Sequence, residues 1–350
     1  MTLVEVARAA RVSKATASNV FSRPERVRGA LRERVEEAAR ALGYAGPDPR
    51  GRMLSSGKVN AIGVVPPAAF GISLFFRNAW VQAFLSGIAE VCEERGVGLS
   101  LVSARDDQVA WGIESAIVDG LILSSAAQAA FVPPARRRKI PIVVFGSAPD
   151  GISSVRAADR AGGRAITEHL LAQGHRRFLI GGPLYEFRPP VFHPPGRDRV
   201  LVSPLVDAPD RLAGIADALS AAGLSLDAMP LVEACGTPVE EAAFGNGAEL
   251  LLDHLGDATA VIALADSLAL AVMDRARRRG ISVPGDISVT GFDGIAEGAA
   301  TDPPLTTMAQ PIAGFGATAA RLLLDGGESR HVVLEGELVV RGSTGVPRRR

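Results

Sequence analysis

The chain has 350 residues, and its 38 Lys and Arg balance 38 Asp and Glu, so the formal net charge is zero. A single compact core rarely grows to this length, so the sequence predicts two or three domains. No apolar run is long enough to span a bilayer, no secretory leader is visible, and the two cysteines lack metal-ligand spacing. We therefore expect a cytoplasmic protein without a membrane span, a metal or another cofactor.

The charge is unevenly distributed along the chain. Residues 1–58 carry 12 Lys and Arg against 6 Asp and Glu, so residues 59–350 carry 26 against 32. A basic segment attached to an acidic remainder is typical of a surface that binds a polyanion such as nucleic acid. On charge alone, a merely solvated basic face is an equal alternative.

Three short helices are predicted at the start of the chain, because apolar residues recur there at helical spacing. The repeating positions are Leu3, Val6, Ala7 and Ala10, then Ala17, Val20 and Phe21, then Leu31, Val35, Ala38 and Leu42. Ser13 occupies the N-cap position of the second helix, and Gly43 is expected to end the third in a left-handed conformation. The pattern predicts a small three-helix core.

The second predicted helix exposes polar and small side chains once its apolar face is buried. Together with the cap residue, this set is Ser13, Lys14, Ala15, Thr16, Ser18 and Asn19. A helix-turn-helix presents such residues to base edges in the major groove. Asn19 is suited to pair with an adenine, and Lys14 to reach a guanine or a phosphate, so these residues predict a DNA-binding head.

From Val59 onward, short apolar runs alternate with amphipathic segments, which is typical of βα units and parallel sheets. The strand-like runs form two sets, one before about Ala158 and one from about Phe178 to Val289, and later segments return to complete both. Two lobes separated by a cleft are the expected outcome. A small molecule is expected at the carboxyl ends of the strands that border this cleft.

Several ordered blocks of the sequence resemble the LacI/GalR family of bacterial transcription regulators. They are "TLVEVARAARVSKATASNVFS", "RERVEEAARALGY" and "GRMLSSGKVNAIGVV" near the start, and "EHLLAQGHRRFLIGGP", "ALADSLALAVMDRARRRGISVPGDISVTGFD" and "DPPLTTMAQP" further on. The resemblance implies an N-terminal all-α helix-turn-helix head joined to an α/β, two-lobed, periplasmic-binding-protein-like core with parallel sheets. Arg11 stands where the family commonly has a turn glycine or asparagine, which predicts modest backbone strain.

The resemblance also implies domain boundaries. The head is expected at residues 1–46, a hinge at 47–58 and the effector-binding and dimerisation core at 59–350. Lobe one is expected to comprise about 59–158 and 293–324, and lobe two about 159–292 and 325–345.

The implied function is that of an effector-responsive, sequence-specific DNA-binding regulator, expected to be a repressor. Its implied partners are double-stranded operator DNA, a sugar or similar effector in the interlobe cleft, and a second copy in a homodimer, with no membrane partner. The alternative is a solute-binding module or a sugar-processing enzyme without regulatory DNA binding. The sequence contains no GxSxG, GxxxxGK[ST] or HExxH motif, so we expect no catalytic residue.

Further DNA contacts are implied outside the second helix. Leu54 matches the family leucine that wedges into the minor groove from an ordered hinge, with Arg52 beside it, although the composition alone favours a plain linker. Arg28 stands at a helix N-cap position and is expected to contact a phosphate. A solvated arginine is an equal alternative for Arg28.

Five residues match family positions that line the effector cleft: Asn78, Trp80, Val81, Arg211 and Asp266. Trp80 has a face that can stack on a sugar or a base, or it packs the lobe. Arg211 is expected to anchor polar groups of the ligand, the alternative being a surface ion pair. Asp266 is expected to accept ligand hydroxyls, the alternative being a helix N-cap.

A proline-rich stretch at residues 185–210 is longer than the family norm and contains Arg188, His193 and Arg197. It predicts either a lid over the mouth of the cleft or an irregular segment without a fixed structure. His193 alone does not indicate a metal site, because no second ligand lies at suitable spacing.

Overall fold

The computed structural model describes residues 1–22, 24–46, 57–66, 76–102, 109–124, 128–184, 189–196, 207–235 and 244–348. The chain forms two compact units, Met1–Val59 and Asn60–Arg350, each of which is treated by itself. Within the described ranges, no helix is both long enough and apolar enough to cross a membrane.

The first unit is a three-helix head. Its elements are α1 (Leu3–Ala9), α2 (Lys14–Ser22), a 3-10 turn (Pro24–Arg26) and α3 (Gly29–Ala41). Its buried core is made of small and branched residues, namely Val6, Ala7, Ala10, Ala17, Val20, Val35 and Ala39. The Thr2 hydroxyl and the Glu5 carboxylate cap α1 reciprocally, and Gly43 ends α3 at φ +62° as predicted.

The turn between α1 and α2 has the backbone strain that the sequence predicts. Arg11 adopts φ +51°, a left-handed conformation that is unusual for a residue with a side chain. Arg34 of α3 donates from Nη2 to the carbonyl of Ala10 at 2.9 Å. This bond ties the turn to the third helix and supports the strained conformation.

The second unit contains nine helices and thirteen strands among the residues described. The helices are α4 (Ala79–Arg95), α5 (Val109–Ser115), α6 (Gln128–Arg137), α7 (Asp159–Ala172), α8 (Asp207–Ala221), α9 (Gly245–Asp253), α10 (Asp266–Arg278), α11 (Ala296–Ala299) and α12 (Ile312–Asp325). The strands are β1 (Ala61–Val65), β2 (Gly98–Leu101), β3 (Gly120–Ser124), β4 (Ile142–Phe145), β5 (Ser153–Ala157), β6 (Phe178–Leu184), β7 (Val191–His193), β8 (Leu231–Cys235), β9 (Ala260–Ala263), β10 (Ser288–Asp293), β11 (Thr306–Ala309), β12 (His331–Leu334) and β13 (Glu337–Val339).

Two sheets organise the second unit, as the alternating pattern predicts. The first has the order β12-β5-β4-β3-β1-β2, and every pair of neighbouring strands in it is parallel. The second has the order β13-β11-β10-β9-β6-β8-β7, in which the interior is parallel and the two edge strands are antiparallel to their neighbours. Each sheet has buried cores formed with its own helices, so the predicted two-lobed α/β class is confirmed.

The strand pairing divides the C-terminal segments differently from the expected lobe boundaries. β11 lies within 293–324, which was expected in lobe one, yet it pairs with β10 in the second sheet. β12 lies within 325–345, which was expected in lobe two, yet it pairs with β5 in the first sheet. The chain therefore passes between the lobes after β5, after β11 and after β12.

Each of these three crossovers starts at the carboxyl end of a strand. The last strand residues are Ala157, Ala309 and Leu334, and the next element of the other lobe begins within three residues, at Asp159, Ile312 and Glu337. Since strands that lie parallel in one sheet end at the same edge, the carboxyl edges of both sheets lie beside the boundary between the lobes.

Candidate functional site

The exposed face of α2 is the candidate DNA interface. Lys14, Ala15 and Asn19 are exposed, whereas Thr16 and Ser18 are half-buried. Ser13 caps the helix, because its Oγ accepts from the Thr16 backbone N–H at 3.0 Å and lies 2.8 Å from the Thr16 hydroxyl. The side chains freest to reach a nucleic acid are therefore those of Lys14, Ala15 and Asn19.

Of the other predicted DNA contacts, the structure describes Arg28 but not Arg52 or Leu54. Arg28 is exposed and occupies the N-cap of α3, where its side chain makes no capping hydrogen bond. Its guanidinium is thus placed on the surface of the head, as a phosphate contact requires. Arg52 and Leu54 lie outside the described residues, so their roles stay predictions.

The predicted effector contacts of the first lobe lie at the start of α4. Asn78 is the N-cap, and its Oδ1 accepts from the Val81 backbone N–H at 3.1 Å. Val81 is largely buried in the core beneath, so its contact with a ligand stays a prediction. Trp80 is half-buried and stacks on Phe84 with ring centroids 5.3 Å apart, so it packs the lobe and keeps part of its surface exposed.

Arg211 is the centre of a polar cluster in the second lobe. Its Nε donates to Asp159 Oδ1 at 2.7 Å, and its Nη1 donates to the carbonyl of Leu264 at 2.6 Å. Nη1 also lies 3.7 Å from Asp293 Oδ1, and the guanidinium carbon lies 3.8 Å from the centre of the Phe292 ring. The side chain is only 11% exposed, so the surface ion pair considered as an alternative does not describe it.

Close helix packing places Arg211 beside Asp159. A Cβ on Gly163 of α7 would lie 2.2 Å from the carbonyl oxygen of Arg211, and a Cβ on Gly214 of α8 would lie 1.9 Å from that of Arg160. The two helices can approach this closely only because glycine occupies both positions. The approach brings the start of α8 against the start of α7.

Asp266 does not lie on the surface of the cleft. It is the first residue of α10 and is fully buried, and Ala265 is the N-cap. Oδ2 accepts from the backbone N–H groups of Gly294 and Ile295 at 2.7 and 2.9 Å, and Oδ1 accepts from the Thr307 hydroxyl at 2.6 Å. Ala265 rather than Asp266 is therefore the N-cap, and ligand contact by Asp266 stays a prediction.

Asp293 is a candidate site residue that the sequence analysis did not single out. It ends β10, is 8% exposed, and adopts φ +128°, which side chains rarely allow. Burial raises the pKa of its carboxyl well above the usual range; Arg211 opposes that rise, and the carboxylates of Asp266 and Asp159 add to it. The signal in the sequence is an aspartate that ends a buried strand and is followed by glycine.

Gln310 joins the cluster to a second crossover. It follows β11, and its Nε2 donates to Asp159 Oδ1 at 3.3 Å. A cavity of 220 Å³ adjoins this point and is lined by residues of all three crossovers, including Ala158, Gln310 and Gly336, as well as by Phe292. The polar cluster therefore lies at the carboxyl edge of the second sheet, against the lobe boundary.

The described part of the proline-rich stretch is ordered at the sheet edge. Residues 191–193 form β7, antiparallel to β8. His193 Nε2 lies 3.2 Å from the buried Glu233 carboxylate, and the Phe192 ring stacks on His254 with centroids 3.7 Å apart. Arg188 and Arg197 lie outside the described residues. In the ranges that the structure covers, no group of three or more His, Cys, Asp and Glu could hold a metal ion.

Comparison with known proteins identifies both parts of the chain. Residues 2–46 match the model of bacterial regulatory proteins of the lacI family, and residues 167–344 match a periplasmic binding protein-like domain. The chain is 36% identical to HTH-type transcriptional regulator Rv3575c of Mycobacterium tuberculosis, over 99% of this chain and 97% of that protein. It is 30% identical to HTH-type transcriptional repressor CytR of Escherichia coli K12, over 98% and 96%.

A solved structure extends the likeness over the full chain. The transcriptional regulator CelR, in a complex with cellobiose, aligns with a TM-score of 0.67 and 27% identity over 98% of this chain and 99% of that one. The family matches cover the helical head and most of the second unit, and this solved structure aligns with both. The chain thus belongs to the LacI family of bacterial regulatory proteins and is a transcriptional regulator, not an enzyme.

Proposed function

We propose that this regulator is a cytoplasmic repressor that binds a roughly palindromic operator as a homodimer and changes its operator affinity when a neutral, polyhydroxylated effector binds beside Arg211 and Asp293. Lys14 and Asn19 read bases, and Arg28 contacts a phosphate. Residues 47–58 act as the hinge, with Arg52 and Leu54 as its minor-groove contacts. The name of the repressor CytR supports the direction of regulation.

The observation that carries the effector proposal is the pairing of one guanidinium with two carboxylates at the lobe boundary. Arg211 lies against Asp159 and Asp293 at 2.7 and 3.7 Å. Ligand hydroxyl groups donate to carboxylates and accept from a guanidinium, so this set suits a polyol. An anionic ligand would meet two negative groups for one positive group, which disfavours a sugar phosphate.

The class of effector has further support. CelR was solved with cellobiose, which is a neutral sugar. In the first lobe, the exposed part of Trp80 offers an apolar face of the kind that stacks on sugar rings, and Asn78 precedes it as the N-cap of α4. We therefore place the effector between the start of α4 and the Arg211 cluster.

A thermal-shift screen of the full chain tests the effector proposal. The panel contains neutral mono- and disaccharides, the corresponding sugar phosphates, and nucleosides. A neutral sugar at about 100 times its dissociation constant should add about 2.7 kcal/mol of stability. Asp293→Asn should abolish this gain. Asp217→Asn, a carboxylate of α8 that pairs with Arg160 at the surface, is the matched control and should keep it. Stabilisation by sugar phosphates alone, or a gain that survives Asp293→Asn, would contradict the proposal.

Operator selection from random DNA tests the DNA-binding part. We expect a two-fold symmetric consensus whose affinity falls steeply with salt, because phosphate contacts release counterions. Addition of the stabilising sugar should change the operator dissociation constant. A chain that binds sugar but selects no DNA sequence would instead be a solute-binding module.

A further inference from the structure

The ring of Phe292 is a platform for the Arg211 guanidinium. The ring is 1% exposed, and the guanidinium carbon lies over it, 3.8 Å from its centre. At its tip the ring packs against α7, where a Cβ on Gly162 would lie 2.7 Å from Phe292 Cζ. The ring therefore fills the space between the first turn of α7 and Arg211, and glycine at position 162 allows this close approach.

Two hydrogen bonds hold the edge of the same guanidinium. Nε donates to Asp159 Oδ1 at 2.7 Å, and Nη1 donates to the Leu264 carbonyl at 2.6 Å. Bonds at the edge set the direction in which the group points, but they tolerate some tilt of its plane. An aromatic face opposes that tilt, because it attracts the cation and occupies the space on one side of the plane. The ring thus adds a restraint that the hydrogen bonds lack.

We propose that Phe292 is a positioning residue for the effector, because its ring fixes the plane in which the Arg211 guanidinium presents its donors to the ligand. Phe292 acts on effector binding through Arg211. This inference rests on the proposed effector role of Arg211.

The plane of the guanidinium matters to a polyol, because all its N–H donors lie in that plane. A ligand oxygen accepts well only from a donor that points at it, so a tilt of the plane weakens each of these bonds. The attraction between a ring and a cation is strongest away from water, and the Arg211 side chain is only 11% exposed. Loss of the ring should therefore weaken effector binding about tenfold.

The packing role of Phe292 needs its own control. Phe292 belongs to a hydrophobic core, so its truncation lowers stability for a reason unrelated to Arg211. Phe178 on β6 belongs to the same core and is also 1% exposed. Phe292→Leu and Phe178→Leu should lose similar stability in urea titrations. Only Phe292→Leu removes the ring over which Arg211 lies.

The first experiment needs no ligand. Arginine side-chain ¹⁵Nε–¹Hε spectra are recorded on the full-length wild-type protein and both leucine variants, and Arg211→Met identifies the Arg211 signal by its absence. Protons above a ring face are shielded, so the wild-type Arg211 Hε signal should lie upfield of its position in Phe292→Leu. Its exchange with water should accelerate about tenfold in Phe292→Leu, because one face of the guanidinium loses its cover and the attraction to the ring.

The control decides how the spectra are read. Phe178→Leu should leave the position and the exchange rate of the Arg211 signal unchanged. A signal that is unmoved in Phe292→Leu, or that changes equally in both leucine variants, overturns the proposal. If Phe292→Leu fails to fold, Gly162→Ala displaces the ring instead, because the new Cβ would meet its tip. The 220 Å³ cavity lined by both residues gives the ring room to yield, so this variant should move the same signal.

The second experiment uses cellobiose and ribose as probes in calorimetric titrations. Phe292→Leu should weaken binding of the sugar that the wild-type protein binds about tenfold, and Phe178→Leu should bind it as the wild type does. Unchanged affinity in Phe292→Leu, or equal weakening in both variants, would overturn the proposal. Failure of the wild-type protein to bind either sugar counts against the proposed effector class, whereas the arginine spectra alone decide whether Phe292 positions Arg211.

Discussion

Replacing Arg211 by methionine tests the polar cluster directly. The change keeps a long apolar stem but removes the charge from a side chain that is 11% exposed, and it leaves the 5% exposed carboxylate of Asp159 without its 2.7 Å partner. Asp293 loses the same neighbour at 3.7 Å. Removing one partner of a buried pair costs about 3–5 kcal/mol, because the remaining charge stays buried and uncompensated.

The expected loss is large enough to measure by several routes. In a protein of this size it corresponds to a fall in Tm on the order of 10 °C, with a matching drop in the free energy of unfolding by urea titration. The matched control is Arg160→Met, one residue from Asp159. Arg160 pairs with Asp217 at 2.7 Å, but it is 64% exposed. Its loss should lower the free energy of unfolding far less than the loss of Arg211 does, because water screens the exposed pair.

The pH dependence supplies an independent check. Without Arg211, which opposes the rise, the pKa of the buried Asp293 carboxyl moves further above its usual range, so the variant is destabilised at neutral pH and recovers stability as the pH falls. Equal losses for Arg211→Met and Arg160→Met, or a variant that does not recover towards pH 5, would refute the assignment of Arg211 to a buried cluster.

Four further predictions follow from the described contacts and from the sequence. Gly163→Ala should cost several kcal/mol and weaken effector binding, because the new Cβ would meet the Arg211 carbonyl 2.2 Å away; thermal unfolding and titration check both effects. Burial lowers the pKa of His175, so the protein should lose stability as the pH falls below about 6.5, and His175→Asn should flatten that slope in urea titrations between pH 7 and 5. Asn19→Ala should relax base choice at one position of each half-site in binding-site selection, and an unchanged consensus would remove it from the readers. Leu54→Ala should reduce operator affinity more than non-specific affinity, and equal losses in competition titrations would contradict the wedge.

Local patterns made the head predictable from sequence. The cap at Ser13 depends on residues three positions apart, and the left-handed end at Gly43 depends on one residue type. These caps need no knowledge of the rest of the chain. The strain at Arg11 was expected instead from the family resemblance, because a glycine or asparagine commonly stands at this turn position.

The sheet to which β11 and β12 belong could not be predicted from the sequence, because strand pairing depends on tertiary contacts. β11 and β12 are four-residue strands, and nothing within them specifies which sheet they join. Asp266 lies after one buried strand and Asp293 after the next, so periodicity treats them alike. Their roles separate only when the loop after β10 folds back over the start of α10, which buries one carboxylate and leaves the other beside Arg211.

The position of the cluster explains how an effector can alter the lobes. Asp159 lies on the first crossover, two residues beyond Ala157, the end of β5. Gln310 lies on the second crossover, after β11, and donates to the Asp159 carboxylate, so the two crossovers meet at this group. A ligand that draws Arg211 away from Asp159 changes a contact made at the crossover itself, and it favours whichever lobe arrangement tolerates that change. Linkage then requires that operator DNA alters effector affinity by the same factor as the effector alters operator affinity. If the effector binds as we propose, the Arg211–Asp159 pair is thus the contact through which it changes the lobe geometry.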